Sequence, residues 1–144
     1  MQAYTNSWQF WALLAAVFAA MTAIFAKIGV ENVNSNFATF LRTLVVVAAF
    51  VPLLWFTGEY HGLSSLSSKT ILFLVLSGLA TGASWLCYFR ALQLGQAGQV
   101  APVDKMSVVF VAIIGALFLG ERLSVTGWSG VALIAAGAVL VAVG

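Results

Sequence analysis

Asp104 and Lys105 stand side by side in the stretch V-A-P-V-D-K-M-S-V-V, at the head of a run that is otherwise apolar as far as Leu119. A carboxylate can take up and release a proton, and an ammonium can hold an anion. Both are expensive at membrane depth unless they face a bundle interior or a water-filled cavity. Three further cations, Lys27, Arg42 and Arg90, fall inside or at the edges of apolar segments, whereas Asp104 is the only acid placed within one. If these five groups gather at one end of a helix bundle, Asp104 is the candidate proton carrier. The cations are then candidates to receive the carboxylate or phosphate of a solute. The pair also has a plainer reading: Pro102 suits the first position of a helix, which would put Asp104 in the first turn, where the helix dipole favours a carboxylate, with Lys105 snorkelling to the interface. Spacing leaves both readings open.

Ser77, Thr81, Ser84 and Tyr88 step by four, three and four, which places four hydroxyls within about 40° of one another on a helical wheel. Such a line either bonds back to its own helix or borders a solute path. Asp104 and Ser107, three apart, are expected to share a helix face. The path residues read from the sequence are therefore Arg42, Ser77, Thr81, Ser84, Trp85, Tyr88, Asp104, Lys105 and Ser107, with Lys27 and Arg90 in the charge cluster. Cys87, inside W-L-C-Y-F, reads as a buried, inert thiol. His61, the sole histidine, falls in a loop, so no metal-ligand spacing exists. With no nucleophile and base in register and no cofactor loop, the sequence predicts neither an enzyme nor a cofactor.

The elements that must position these groups follow from composition. Of 144 residues, 62% are hydrophobic and 7% charged, with a mean hydropathy of +1.07. That is too little polar surface to cover a water-soluble globule, so the chain belongs in a bilayer. The twenty residues from 70 to 89 carry no charge, about 30 Å of helix and one hydrocarbon thickness. Charges divide the chain into five apolar segments, about 10–29, 37–56, 70–91, 100–119 and 126–144, joined by short loops. This predicts an all-α integral membrane protein with a single domain over 1–144. Residues 1–9 hold no Lys or Arg, and the apolar stretch running to Ala26 is too long for a signal-peptide core, so the first segment reads as a span. Six basic and four acidic residues are scattered between segments, which argues against a nucleic-acid partner.

Helix contacts in lipid depend on small residues. Gly78 with Gly82, Ala16 with Ala20 and Ala23, Ala112 with Ala116, and Gly130 with Gly137 are the small stripes, read as bundle packing. Trp8, Trp11, Trp55 and Trp128 lie near expected helix ends, where aromatic belts form. Orientation is nearly balanced. Loops on the N-terminal side carry Lys69 and Arg122, the opposite side carries Lys27 and Arg90, and only Arg42 and Lys105 tilt the count. A chain so poised is expected to insert both ways and pair as an antiparallel homodimer with an in-plane two-fold axis.

A-I-F-A-K-I-G-V, L-R-T-L, Y-F-R-A-L-Q-L-G-Q-A-G-Q-V-A-P-V and F-L-G-E-R-L-S, taken in that order, resemble the EamA domain of the drug/metabolite transporter superfamily, and the similarity covers nearly the whole chain. The chain looks especially like the short bacterial five-helix members, which hold one EamA-type half where ten-helix relatives hold two. The resemblance implies a small-molecule carrier of the bacterial inner membrane, often an exporter, that works by alternating access between two inverted halves. It departs from the smaller four-helix multidrug relatives, whose glutamate in the first helix has no counterpart here. The resulting expectation is a secondary transporter of a small polar or amphipathic metabolite or drug, with proton coupling as one option for the driving force. A lipid or lipid-linked-sugar flippase and a non-transporting accessory membrane subunit are the alternatives.

Overall fold

The structure is a computed structural model and describes residues 7–59, 62 and 65–144. His61 lies outside the described residues. Among these residues, five helical segments are long and apolar enough to cross a membrane: Trp8–Gly29, Ser35–Thr57, Ser68–Leu94, Ala97–Leu119 and Val125–Val143. The first three are continuous helices, α1, α2 and α3. The fourth is made of α4 (Ala97–Asp104), α5 (Ser107–Ile114) and a π-helical turn, Gly115–Leu119, and the fifth is α6.

Capping side chains set several of these boundaries. The Asn34 side chain accepts from the backbone N–H groups of Asn36 and Phe37 and starts α2, which ends at Gly58 in the left-handed conformation, φ 67°. Ser67 Oγ accepts from Thr70 N–H at 3.1 Å ahead of α3, and Ser124 Oγ accepts from Gly127 N–H at 3.1 Å ahead of α6. Each cap satisfies a donor that the first helical turn leaves without an intrahelical partner.

Two compact units are present. Among the described residues, one comprises 7–27 and 94–144, and the other those between 28 and 93. In the first, α6 packs along α4 and α5, and Ala23, Ala26 and Ala138 are buried. Gly130 lies on the covered side of α6, but Gly137 is exposed, so the heptad pair expected there is not a single packed stripe. The packed face instead passes through Gly127, Gly130, Ala135 and Ala138. In the second unit Val30, Ser35, Thr39, Phe89 and Leu92 are buried. A methyl group added at Gly78 or Gly82 would meet no atom within 4 Å, so neither glycine is required by a close contact among the described residues.

The fourth span departs most from expectation. Its helix begins at Ala97, with Gln96 extended before it (φ −76°, ψ 141°), so Pro102 is the sixth helical residue and not the first. Asp104 accordingly closes α4 and does not sit in a first turn. The physical reason is length: starting at Ala97 makes the span 23 residues, about 34 Å, where a start at Pro102 would leave it short. The cost is the backbone bond that Pro102 cannot donate. Beyond it the helix tightens. Lys105 N–H is shared between the carbonyls of Ala101 and Pro102, and three bonds step back only three residues: Met106 to Val103, Val108 to Lys105 and Val109 to Met106. Such a 3₁₀-like interruption changes helical register. The face shared by Asp104 and Ser107 presumes an uninterrupted helix, and that condition is not met.

Candidate functional site

Arg42 and Trp85 come together in the second unit. Arg42 is the eighth residue of α2, about 10 Å along its axis, and its guanidinium carbon lies 4.2 Å from the Trp85 ring centroid and 5.4 Å from that of Phe89. Both rings belong to the packed face of α3, which runs through Gly82, Trp85, Phe89 and Leu92 at helical spacing. Phe89 is buried, while Arg42 and Trp85 are half-buried. Stacking on aromatic faces returns as much as about 2 kcal/mol to a desolvated cation. Placing an arginine at the centre of a spanning helix costs about 2.5–3.5 kcal/mol on insertion scales. The rings therefore offset much of that cost without removing the charge. Among the described residues Arg42 has no carboxylate within ion-pair distance, and the Tyr88 phenol is near enough to act on it electrostatically.

The hydroxyl line lies one residue away from that packed face. Ser77, Thr81 and Ser84 are exposed and Tyr88 is half-buried. Thr81 Oγ donates to the Ser77 carbonyl at 2.9 Å, the back-bonding that lets a hydroxyl sit in an apolar span. Thr39 and Thr43 do the same on α2, to the carbonyls of Ser35 and Thr39, each at 2.8 Å. Cys87 is exposed on α3, which corrects its expected burial. An apolar neighbourhood in sequence places a residue at membrane depth, but the lipid-facing side of a helix is as apolar as its packed side.

Arg90 forms a structural contact. Its Nη1 donates to Gln93 Oε1 at 3.2 Å, and Gln93 Nε2 donates to the carbonyls of Val30, at 3.0 Å, and Val33, at 2.5 Å. Gln93 thus staples the chain between α1 and α2 to the end of α3, a role that no periodicity in the sequence could announce.

In the first unit Asp104 and Lys105 form an ion pair, with Nζ 3.3 Å from Oδ2. Asp104 is the last residue of α4 and Lys105 its C-cap, two residues before Ser107 opens α5. At the interruption the cation meets the negative end of one half-helix and the carboxylate lies on the approach to the positive end of the next. Ser107 opens α5 and is exposed. Lys27 Nζ donates to the Gly95 carbonyl at 2.9 Å, beyond the last residue of α3, where orphan carbonyls attract cations. Glu121 and Arg122 follow the π-helical turn. Gly120 takes φ 69°, Glu121 N–H donates to the Gly115 carbonyl at 3.1 Å, and the Glu121 carboxylate folds back over Gly115. The helix thus ends at a glycine in the left-handed conformation, with the closing bond one residue wider than in the common glycine-capped terminus.

Five apolar spans define a multi-pass membrane protein, and polar groups held inside those spans are the mark of one that handles solutes. The sequence matches the model of the EamA-like transporter family over residues 6–143, and the chain belongs to that family. It is 59% identical over 139 residues to a protein of a Sinorhizobium species named an uncharacterized transporter in the cobO 3′ region, covering 96% of this chain and 99% of that one. It is 27% identical over 131 residues to the uncharacterized transporter YxxF of Bacillus subtilis (strain 168), covering 90% of this chain but 40% of the relative. No solved structure matches the chain.

Proposed function

We propose that the protein is a secondary transporter of a small polar or amphipathic metabolite or drug, built from two copies inserted in opposite senses in a bacterial inner membrane. The observation that carries the reading is one of length. The chain belongs to a transporter family, yet it spans 40% of the longer relative, which is the share expected of one repeat in a carrier made of two inverted halves. A second copy supplies the missing half. The near balance of Lys and Arg between the two sides supports opposite insertion. The pair Gly78 and Gly82, with room for a methyl group at each among the described residues, is the sort of surface that packs helices together in lipid.

Alternating access moves the solute between the two sides, with export the direction that the family resemblance implies. Asp104, the only acid within the five spans, exchanges the coupling proton, and its position at an interrupted helix gives it backbone freedom that a continuous helix lacks. Arg42, Trp85 and the open hydroxyl face of α3 border the path. Counterflow in liposomes with an imposed pH gradient tests the reading. Asp104→Asn should retain solute exchange but lose its response to the gradient, and an undiminished response would remove Asp104 as the carrier. Cysteine labelling at the C-terminus should mark both faces of the membrane; labelling confined to one face would remove the antiparallel pair.

A further inference from the structure

We infer that Arg42, laid over Trp85 and Phe89, is an anion-binding element, and that the solute is an amphipathic carboxylate: a carboxyl group beside an apolar or aromatic body. The inference rests on the transporter reading and specifies the solute class for it. Neither ring offers a conventional hydrogen-bond acceptor, so contact with them uses none of the five N–H donors of the guanidinium. With Trp85 at 4.2 Å and Phe89 at 5.4 Å, the guanidinium lies beside two aromatic rings. Among the described residues no carboxylate pairs with it, although it sits inside a span where an unpaired charge is costly.

Lys69 is exposed at the start of α3, and three other cations of the spans are engaged otherwise than Arg42. Lys105 is paired with Asp104, Lys27 donates to the Gly95 carbonyl, and Arg90 donates to Gln93. Arg42 therefore presents an unneutralised fork to whatever enters. A planar carboxylate matches that fork with two parallel hydrogen bonds. The indole beside it offers an apolar surface to the part of the solute next to the carboxyl group, and the polar tip and apolar body are then met by adjacent parts of one site.

The test uses the full chain in neutral detergent, with phenylacetate as probe and phenylacetamide as its uncharged isostere. Equilibrium dialysis should show phenylacetate binding at least about tenfold more tightly than the amide, the ratio expected of a charge-assisted hydrogen bond. Arg42→Gln should remove that preference and Arg42→Lys should restore it only in part, because an ammonium lacks the fork. Should these variants fail to fold, phenylglyoxal modification of the wild-type chain, resolved by peptide mass, gives the same answer. Phenylacetate should protect Arg42 and leave Arg90 and Arg122 reactive. Equal binding of acid and amide, or no protection of Arg42, overturns the inference. So does complete displacement of phenylacetate by phosphatidylglycerol, which would make the site a lipid-headgroup anchor. Flux of other solutes through wild-type liposomes without carboxylate protection of Arg42 sinks this inference alone. Protection of Arg42 in a chain that moves no solute sinks the transporter reading alone.

Discussion

Gln93 holds two backbone carbonyls with one amide, and removing it should be among the most damaging single changes on α3. In Gln93→Ala both donor bonds, to Val30 and Val33, are lost. Each is worth about 0.5–1.5 kcal/mol net, and a carbonyl stranded away from water adds to the loss. Val30 is 1% exposed, which places the expected destabilisation toward the upper end, about 2–3 kcal/mol. Gln93→Glu is the sharper variant. It keeps an acceptor for Arg90 and even gives it a charge partner, yet it has no donor and sets a carboxylate against two carbonyl oxygens. It should cost at least as much as the alanine. Arg90→Met leaves both donor bonds in place and removes only the exposed contact to Oε1, so about 1 kcal/mol or less is expected. Reversible unfolding in mixed micelles of neutral detergent and dodecyl sulfate, followed by circular dichroism, gives the ordering. A Gln93→Glu protein as stable as wild type, or an Arg90→Met protein as unstable as Gln93→Ala, would refute the assignment of the staple to the amide donors.

Two further expectations concern helix ends. Gly120→Ala forces a side chain onto φ 69° and should cost about 1–2 kcal/mol. Gly115→Ala would place a methyl 2.7 Å from Glu121 Oε2, the far end of an exposed side chain that can swing aside, so about 0.5 kcal/mol suffices there. The same micelle unfolding measures both, and the reverse order would contradict the closure described. Lys27→Met removes a charge-assisted bond to the Gly95 carbonyl and should lower stability by about 1.5–3 kcal/mol, with Lys27→Arg recovering most of it. An unchanged midpoint for Lys27→Met would show that the bond adds nothing.

Much of the architecture is readable in the one-dimensional chain because the bilayer is a simple filter. An apolar run either reaches across the hydrocarbon or it does not, and the charges between runs mark the ends to within a few residues. The helix caps at Asn34, Ser67 and Ser124 are equally local. The start of the fourth span misleads because two local rules compete there. Proline favours the first turn, but the span needs the residues from Ala97 onward to reach across the membrane, and the loss of one hydrogen bond at Pro102 is the smaller cost. Cys87 misleads for another reason: apolar sequence context is blind to whether a helix face meets protein or lipid.

The candidate site divides along the same line. That charged and hydroxyl groups lie at membrane depth follows from the order of residues alone, since depth is counted along a helix from its ends. Which of them meet depends on the tertiary structure, because contacts such as Arg42 on Trp85, or Gln93 on the Val30 carbonyl, join residues far apart in the chain whose pairing is set by the faces α2 and α3 turn to each other. Periodicity assigns a residue to a face. Only packing decides what that face touches, and so which cation meets a carbonyl, as Lys27 does, and which meets aromatic rings, as Arg42 does.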